Sequence, residues 1–272
     1  KRFPRGSRPP LYGTLVGVKD LFKVEGLPRT AGSRLPSDAF DGPEAAIVSR
    51  LKALGALVLG ITVSTEFAYF APGPTRNPRN PDHTPGGSSS GSAAAVAAGY
   101  CRLALGTQTI GSISRPAAFC GITGLKPSYG ALATEGVFPF SVSADHVGFL
   151  AGDLSDAALV YRALSVDGGA ESALRPGSPD VPGGRSLGSS LQGRRFLLPD
   201  ETYLALAETE TQRNLEETVR RLEDAGALVD RTTALSEIEA LRSSHRLMIA
   251  REFAQVHREL KARYRELYSE SS

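Results

Sequence analysis

Short apolar runs alternate along this chain with segments whose apolar residues recur at helical spacing, and glycines stand at the changeovers. Leu15 to Val18 reads as a short buried strand that delivers Lys19 and Asp20 to its end. Arg29 to Gly42 is loop, rich in Pro, Gly, Ser and Asp. Asp41 is expected to cap a helix with Pro43 in its first turn, and Ile47, Leu51 and Leu54 then follow at helical spacing. Gly55 stops that helix, and Ala56 to Leu59 reads as a buried strand. The same phrase returns with Leu215, Val219 and Leu222, then Gly226, then a strand starting at Ala227 to Val229. Asp153 caps a helix through Leu164, with Ala157, Val160, Tyr161 and Leu164 on its apolar face. Phe196 to Leu198 reads as another short strand. Ser236 to Tyr268 is one long helix or two shorter ones, with Ile238, Leu241, Leu247, Ile249, Phe253, Val256 and Leu260 on one broad face. Helix, glycine, then strand is the punctuation of an α/β protein. Lys1 to Pro10 reads as a loose arm, and Val166 to Gly193 as a surface excursion.

One stretch does not fit this alternation. Gly86 to Ser92 is entirely glycine and serine, Ala93 to Ala98 follows as a small-residue buried helix, and Leu103 to Leu105 is apolar. A second polar loop then runs from Gly106 to Ser114. Glycines there let the backbone approach a ligand closely. Successive N–H groups can hold an anion, and the hydroxyls are candidate nucleophiles or relays. A plain flexible linker would not lead into a buried helix.

Composition narrows the picture without changing it. The chain has 272 residues, 41% hydrophobic and 22% charged, with a net charge of +2. That charge gives no electrostatic reason to expect nucleic acid. No apolar run is long enough for a membrane span, and the basic start lacks the apolar core of a secretory signal. The two cysteines, Cys101 and Cys120, make no disulfide framework, which points to a cytoplasmic, reducing setting. The histidines form no ligand pattern, so neither a metal nor another cofactor is expected. His146 is read as a loop or packing residue, and Glu66 as a buried or capping carboxylate.

Amide cleavage needs a nucleophile, a base, an acid for the leaving amine and donors for the oxyanion. No histidine completes a Ser-His-Asp triad, and Gly87-Ser88-Ser89-Ser90-Gly91 matches the nucleophile elbow only loosely. What remains is the serine loop, the second loop with Ser112, and Lys19 at a strand end. A lysine acts as base only when neutral, which requires lowering its pKa by about 3 units, or about 4 kcal/mol. Burial and hydrogen bonds to hydroxyls are the means available.

The segments GTLVGVKDLFKVEGLPRTAGS, PGGSSSGSAAAVAAG and LGTQTIGSISRPAAFCGITGLKPSYG resemble the amidase signature family, over most of Gly13 to Leu164. The resemblance implies a three-layer α/β/α fold, with a mixed, twisted central sheet flanked by helices. It implies that residues 1–272 form a single domain of that kind, lacking part of the family's N-terminal helices and C-terminal portion. It gives Lys19, Ser88 and Ser112 the places of the catalytic lysine, the bridging serine held in a cis peptide, and the nucleophile. The backbone N–H groups of Thr109, Ile110, Gly111 and Ser112 take the place of the oxyanion hole. Gly87 and Ser89 support the site. Arg115 either clamps loop carbonyls or meets an anionic substrate.

Three positions depart from the commonest family pattern. Ser90 and Ile110 replace glycines, and Gln108 replaces an aspartate. The Ser90 and Gln108 forms, with Arg115 one place later than usual, are similar to a general-amidase branch. Ile110 is expected to narrow the acyl pocket or to shift the N–H groups, since a β-branched residue resists positive φ. The implied activity is hydrolysis of a small or medium carboxamide, with a small-molecule amide as partner and a homodimer as an assembly open to the family. The alternatives are an amidotransferase A-type subunit that releases ammonia for partner subunits, and a catalytically weak homologue with a binding or assembly role.

Overall fold

Strand β1, Leu15–Lys19, is buried from Val16 onward and lies inside a mixed five-stranded sheet. Its neighbours are β2 (Leu57–Thr62) and β3 (Leu103–Gln108), both parallel to it. Strand β5 (His146–Ala151) pairs antiparallel with β3, and β4 (Thr123–Leu125) pairs antiparallel with β5. The computed structural model describes residues 4, 7–165, 190–199, 201–233 and 237–272. Two compact units divide the chain, Lys1–Ser172 with Ile249–Ser272, and Ala173–Met248.

Alternation along β3 and β5 builds a core on each side of the first unit's sheet. Leu103, Leu105, Phe149 and Ala151 face one side, with Ile47, Val48 and Leu51 of helix α1 (Ala46–Ala53). Val160, Ala163 and Leu164 of helix α4 (Leu154–Ser165) share that core. Ala104 and Leu150 face the other side, with Ala93 and Val96 of α2 (Ser90–Ala97) and Ala117 and Cys120 of α3 (Ser114–Cys120). The fold is therefore α/β, with helices on both faces of the central sheet. A fully buried side chain such as Phe149 or Leu105 contributes about 1.5–3 kcal/mol through the area it removes from water.

Several boundaries move from their expected places. Strand β3 runs on through Gly106, Thr107 and Gln108, which the composition assigned to a loop. Glycine is needed at 106 because a Cβ there would lie 2.9 Å from Ser89 Oγ. Helix α2 starts at Ser90, inside the Gly/Ser run, because Gly91 lets it rest on the backbone of Val63. Asp41 does not cap the helix that follows it and instead pairs with Lys23 at 3.2 Å. Helix α1 begins after Ala45 with no side-chain cap, since Glu135 O accepts the Ala46 N–H at 3.1 Å. The Asp153 cap is present, its Oδ1 accepting the Asp156 N–H at 2.8 Å. Gly55 takes a positive φ between α1 and β2, as its stop role requires.

The second unit holds β6 (Arg195–Pro199) and β7 (Leu228–Thr232), a parallel pair. Helices α5 (Glu201–Leu204) and α6 (Thr209–Asp224) lie between them in the chain. Gly226, at φ +87°, turns the chain from α6 into β7. Residues 166–189 of the expected surface excursion lie outside the described residues, as do residues 1–3 and 5–6 of the expected arm.

The segment after residue 236 is two helices, α7 (Ile238–Val256) and α8 (Arg258–Tyr264), broken at His257. Its apolar positions do not share one buried face, because Leu241 and Leu247 are exposed while Ile249 is buried. His257 is buried, stacked on Phe253 with ring centroids 4.0 Å apart. Its Nδ1 lies 2.8 Å from Tyr268 Oη. Burial, with a smaller push from Lys261, lowers its pKa from 6.5 to about 4. The neutral ring is thus favoured by folding, so its contribution is present above pH 6.5 and lost as pH falls toward 4. We expect acidification through that window to remove up to about 3 kcal/mol of stability. Denaturant titrations of wild type and His257→Phe as a function of pH check this. The variant should lack the His257 part of the slope.

Candidate active site

Lys19 is the residue around which the site closes. It ends β1 with no exposed surface, and its Nζ donates to Ser88 Oγ at 2.7 Å and Thr107 Oγ1 at 2.9 Å. Burial lowers its pKa from 10.5 to about 7, against the raising effect of the Asp145 carboxylate. The neutral amine is therefore well populated near neutral pH and has a lone pair free to take a proton. Asp20, the next residue, is turned away. Its oxygens accept from the Thr30 and Gly32 N–H groups at 3.0 and 2.8 Å, and from Thr30 Oγ1.

The serine loop is fixed by contacts along its whole length. The Gly87–Ser88 peptide is cis. Ser88 O accepts from Thr65 N at 3.1 Å, and Ser89 Oγ donates to Thr107 O at 3.3 Å. A Cβ at Gly87 would lie 2.9 Å from Thr65 Cγ2, so this position admits no side chain without rearrangement. Ser90 Oγ, where the family pattern has glycine, donates to Val63 O at 3.2 Å. Its hydroxyl ties the start of α2 to the chain beyond β2.

The second loop links β3 to α3 and carries Ser112, which is nearly buried. Ser89 N donates to Ser112 O at 3.3 Å, and this bond joins the two loops. Gln108 Oε1 accepts from Ile113 N at 2.8 Å, Ser114 N at 2.9 Å and Ser114 Oγ at 3.2 Å. A glutamine therefore caps the start of α3. Among the described residues, no carbonyl or side chain accepts the N–H groups of Ile110, Gly111 and Ser112. Such donors suit a developing oxyanion. Ile110 avoids positive φ, so it does not strain the loop, and the residue is 58% exposed. Arg115 Nε donates to Gly87 O at 3.0 Å, the clamp arrangement of its two expected roles.

Thus Lys19 meets Ser88, Ser89 meets Ser112 through its main chain and Arg115 meets Gly87, with Thr109 to Gly111 on the same loop as Ser112. Two neighbours, Thr107 and Asp145, were not singled out from the sequence. Thr107 stood in what read as loop, although a hydroxyl at the end of a strand beside Lys19 was the available signal. Thr109 Oγ1 donates to Asp145 Oδ1 at 2.5 Å. His146 has its Nδ1 2.8 Å from Ala144 O and its ring edge-on to Tyr129. Glu66 is buried and accepts from the Ser269 N–H and from the Ser269 and Ser272 hydroxyls. Both cysteines are buried free thiols. Among the described residues no His, Cys, Asp and Glu cluster suits a metal, and no helix is long and apolar enough to cross a membrane.

Comparison with known proteins identifies the family. The family model Amidase matches residues 1–271. The glutamyl-tRNA(Gln) amidotransferase A subunit of Salinibacter ruber is 40% identical over 233 residues, covering 83% of this chain and 45% of that protein. A solved amidase structure superposes with TM-score 0.81 at 32% identity, over 97% of this chain and 57% of that one. The native peptide amidase of Stenotrophomonas maltophilia gives TM-score 0.77 at 32% identity, over 95% and 55%. This chain spans about half the length of the curated relatives it matches. With this sequence match, this fold and a buried lysine bonded to the serine loop, the chain belongs to the amidase signature family.

Proposed function

We propose that the chain cleaves the C–N bond of a carboxamide through an acyl-enzyme on Ser112. The observation that carries this reading is the 2.7 Å bond from a fully buried Lys19 amine to Ser88 Oγ. Neutral Lys19 takes the Ser88 proton while Ser88 takes the proton of Ser112. Ser112 Oγ attacks the carbonyl, and the N–H groups of Thr109 to Ser112 hold the oxyanion. The relay then runs backward and protonates the departing nitrogen as the C–N bond breaks. Water, deprotonated by the same route, releases the acid and restores Ser112.

Two settings for this chemistry are supported by different observations. The names of sequence relatives favour an amidotransferase A-type role, in which glutamine is the carboxamide and ammonia passes to partner subunits. The structural neighbours titled amidase and peptide amidase support a free-standing hydrolase. The sequence relatives make glutamine the first substrate to try. Ammonia release is to be measured from glutamine, from a C-terminally amidated peptide and from a simple alkyl amide, with Ser112→Ala as control. Release from at least one of them, lost in the variant, is expected. Equal release by the variant would overturn the reading.

A further inference from the structure

We propose that Asp145 is a positioning residue of this site, buttressing the loop of residues 109–112 through Thr109 and facing Lys19 with a negative charge. This inference rests on the reading of Lys19 and Ser112 given above.

The topology explains why an aspartate just before β5 reaches the loop. Strands β3 and β5 run antiparallel, and Gln108 opposite His146 is their last pair. Thr109 and Asp145 therefore stand just beyond the ladder, where the two chains part. At that point Thr109 Oγ1 donates to Asp145 Oδ1 at 2.5 Å. Thr109 is the first residue of the loop that ends in Ser112. A bond at this place fixes where the loop leaves the sheet, while Gln108 fixes where it enters α3.

The carboxylate is itself held. Its Oδ2 accepts from the N–H groups of Phe140 and Ser141 at 2.7 and 3.0 Å, and Asp145 N donates to Ser141 O at 2.9 Å. That turn is pinned from α7, where Glu252 accepts from Ser141 Oγ at 2.6 Å, Ser143 N at 3.1 Å and Ser143 Oγ at 2.6 Å. A carboxylate with three donors on its two oxygens cannot swing away from Thr109 without breaking its own turn. Rigid support of this kind is what a preorganised donor loop requires.

Asp145 also completes the charge balance of the relay. Burial raises its own pKa, while hydrogen bonds from Thr109, Ser141 and Phe140 and the charge of Lys19 favour the anion. Asp145 is the charged group acting on the Lys19 amine, and it opposes the effect of burial there. Asp20 is committed to Thr30 and Gly32, Arg115 to Gly87 O, Glu252 to the turn, and the His146 ring to Ala144 O. Without Asp145, Lys19 would lose its proton at a lower pH. The neutral base would be more abundant but weaker, and the loop less well held.

The two contributions separate by substitution. Asp145→Asn removes the charge and at least one acceptor, whereas Thr109→Val removes the clamp and leaves the charge. The readout is the rate of Ser112 labelling by a fluorophosphonate, followed by intact mass across neutral pH. The wild-type rate should rise with pH and reach half its maximum near 7, where Lys19 titrates. In Asp145→Asn the maximal rate should fall by about 10–100-fold and the half-point should move down by about one pH unit. In Thr109→Val the rate should fall with the half-point in place, and Thr109→Ser should recover most of the loss. Wild-type rate and half-point in both Asp145→Asn and Thr109→Val would overturn this inference alone. So would a slowed Asp145→Asn with an unmoved half-point beside an unaffected Thr109→Val, since Asp145 would then serve stability only. A folded wild-type chain that never labels would overturn the acyl-enzyme reading and this inference together. If Asp145→Asn does not fold, the Thr109 pair decides the buttress by itself.

Discussion

Replacing Ser112 with alanine is expected to lower carboxamide hydrolysis by on the order of 10⁴–10⁶-fold while leaving the fold intact. The size of the loss follows from the role. Without Oγ no acyl-enzyme forms, and Lys19 and Ser88 are left as a relay with nothing to activate. The fold should survive because Ser112 meets the serine loop through its carbonyl, which accepts from Ser89 N, and alanine keeps that bond. Initial rates of ammonia release, with thermal unfolding run alongside, check both parts. A variant that unfolds early would show only damage, and a variant of near-wild-type rate would remove Ser112 from the mechanism.

Lys19→Met should lower the same rate by about 10²–10⁴-fold, the range of a positioned general base. It should unfold no earlier than wild type at neutral pH. Folding takes the Lys19 pKa from 10.5 to about 7, so the unfolded chain binds a proton that the folded chain holds less tightly. Wild-type stability must therefore fall as pH drops from 10.5 toward 7, by about 4 kcal/mol from this group. Methionine fills similar space without that penalty. The lost bonds to Ser88 and Thr107 offset part of the gain. Denaturant midpoints of the two proteins at pH 7 and at more alkaline pH measure the balance. The variant should lack the Lys19 part of the slope.

Much of this site was legible because its residues interrupt a pattern. An apolar run that ends in lysine, a run of glycine and serine that enters a small-residue helix, and a second hydroxyl-rich loop all depart from ordinary core spacing. The glycine stops at Gly55 and Gly226 were readable from local backbone chemistry. Where tertiary contacts replaced local signals, the reading failed. Gly106 and Thr107 look like loop residues, yet they form strand because β5 supplies their partners, Gly148 and Val147. Asp41 looked like a cap, but Glu135 O meets the first helical N–H instead. Leu241 and Leu247 followed a helical apolar spacing that the structure does not bury. Asp145 carried no signal at all, since its partner Thr109 lies 36 residues earlier in the chain and meets it only at the end of a sheet ladder.

The central claim is that Lys19 activates Ser112, and only Ser112, through Ser88. Peptide mapping after brief fluorophosphonate treatment tests it most directly, on wild type, Ser112→Ala and Lys19→Met. The account predicts one adduct on wild type, located at Ser112, none on Ser112→Ala and very slow labelling of Lys19→Met. An adduct on Ser88, Ser89 or Ser90, or rapid labelling of folded Lys19→Met, would contradict it.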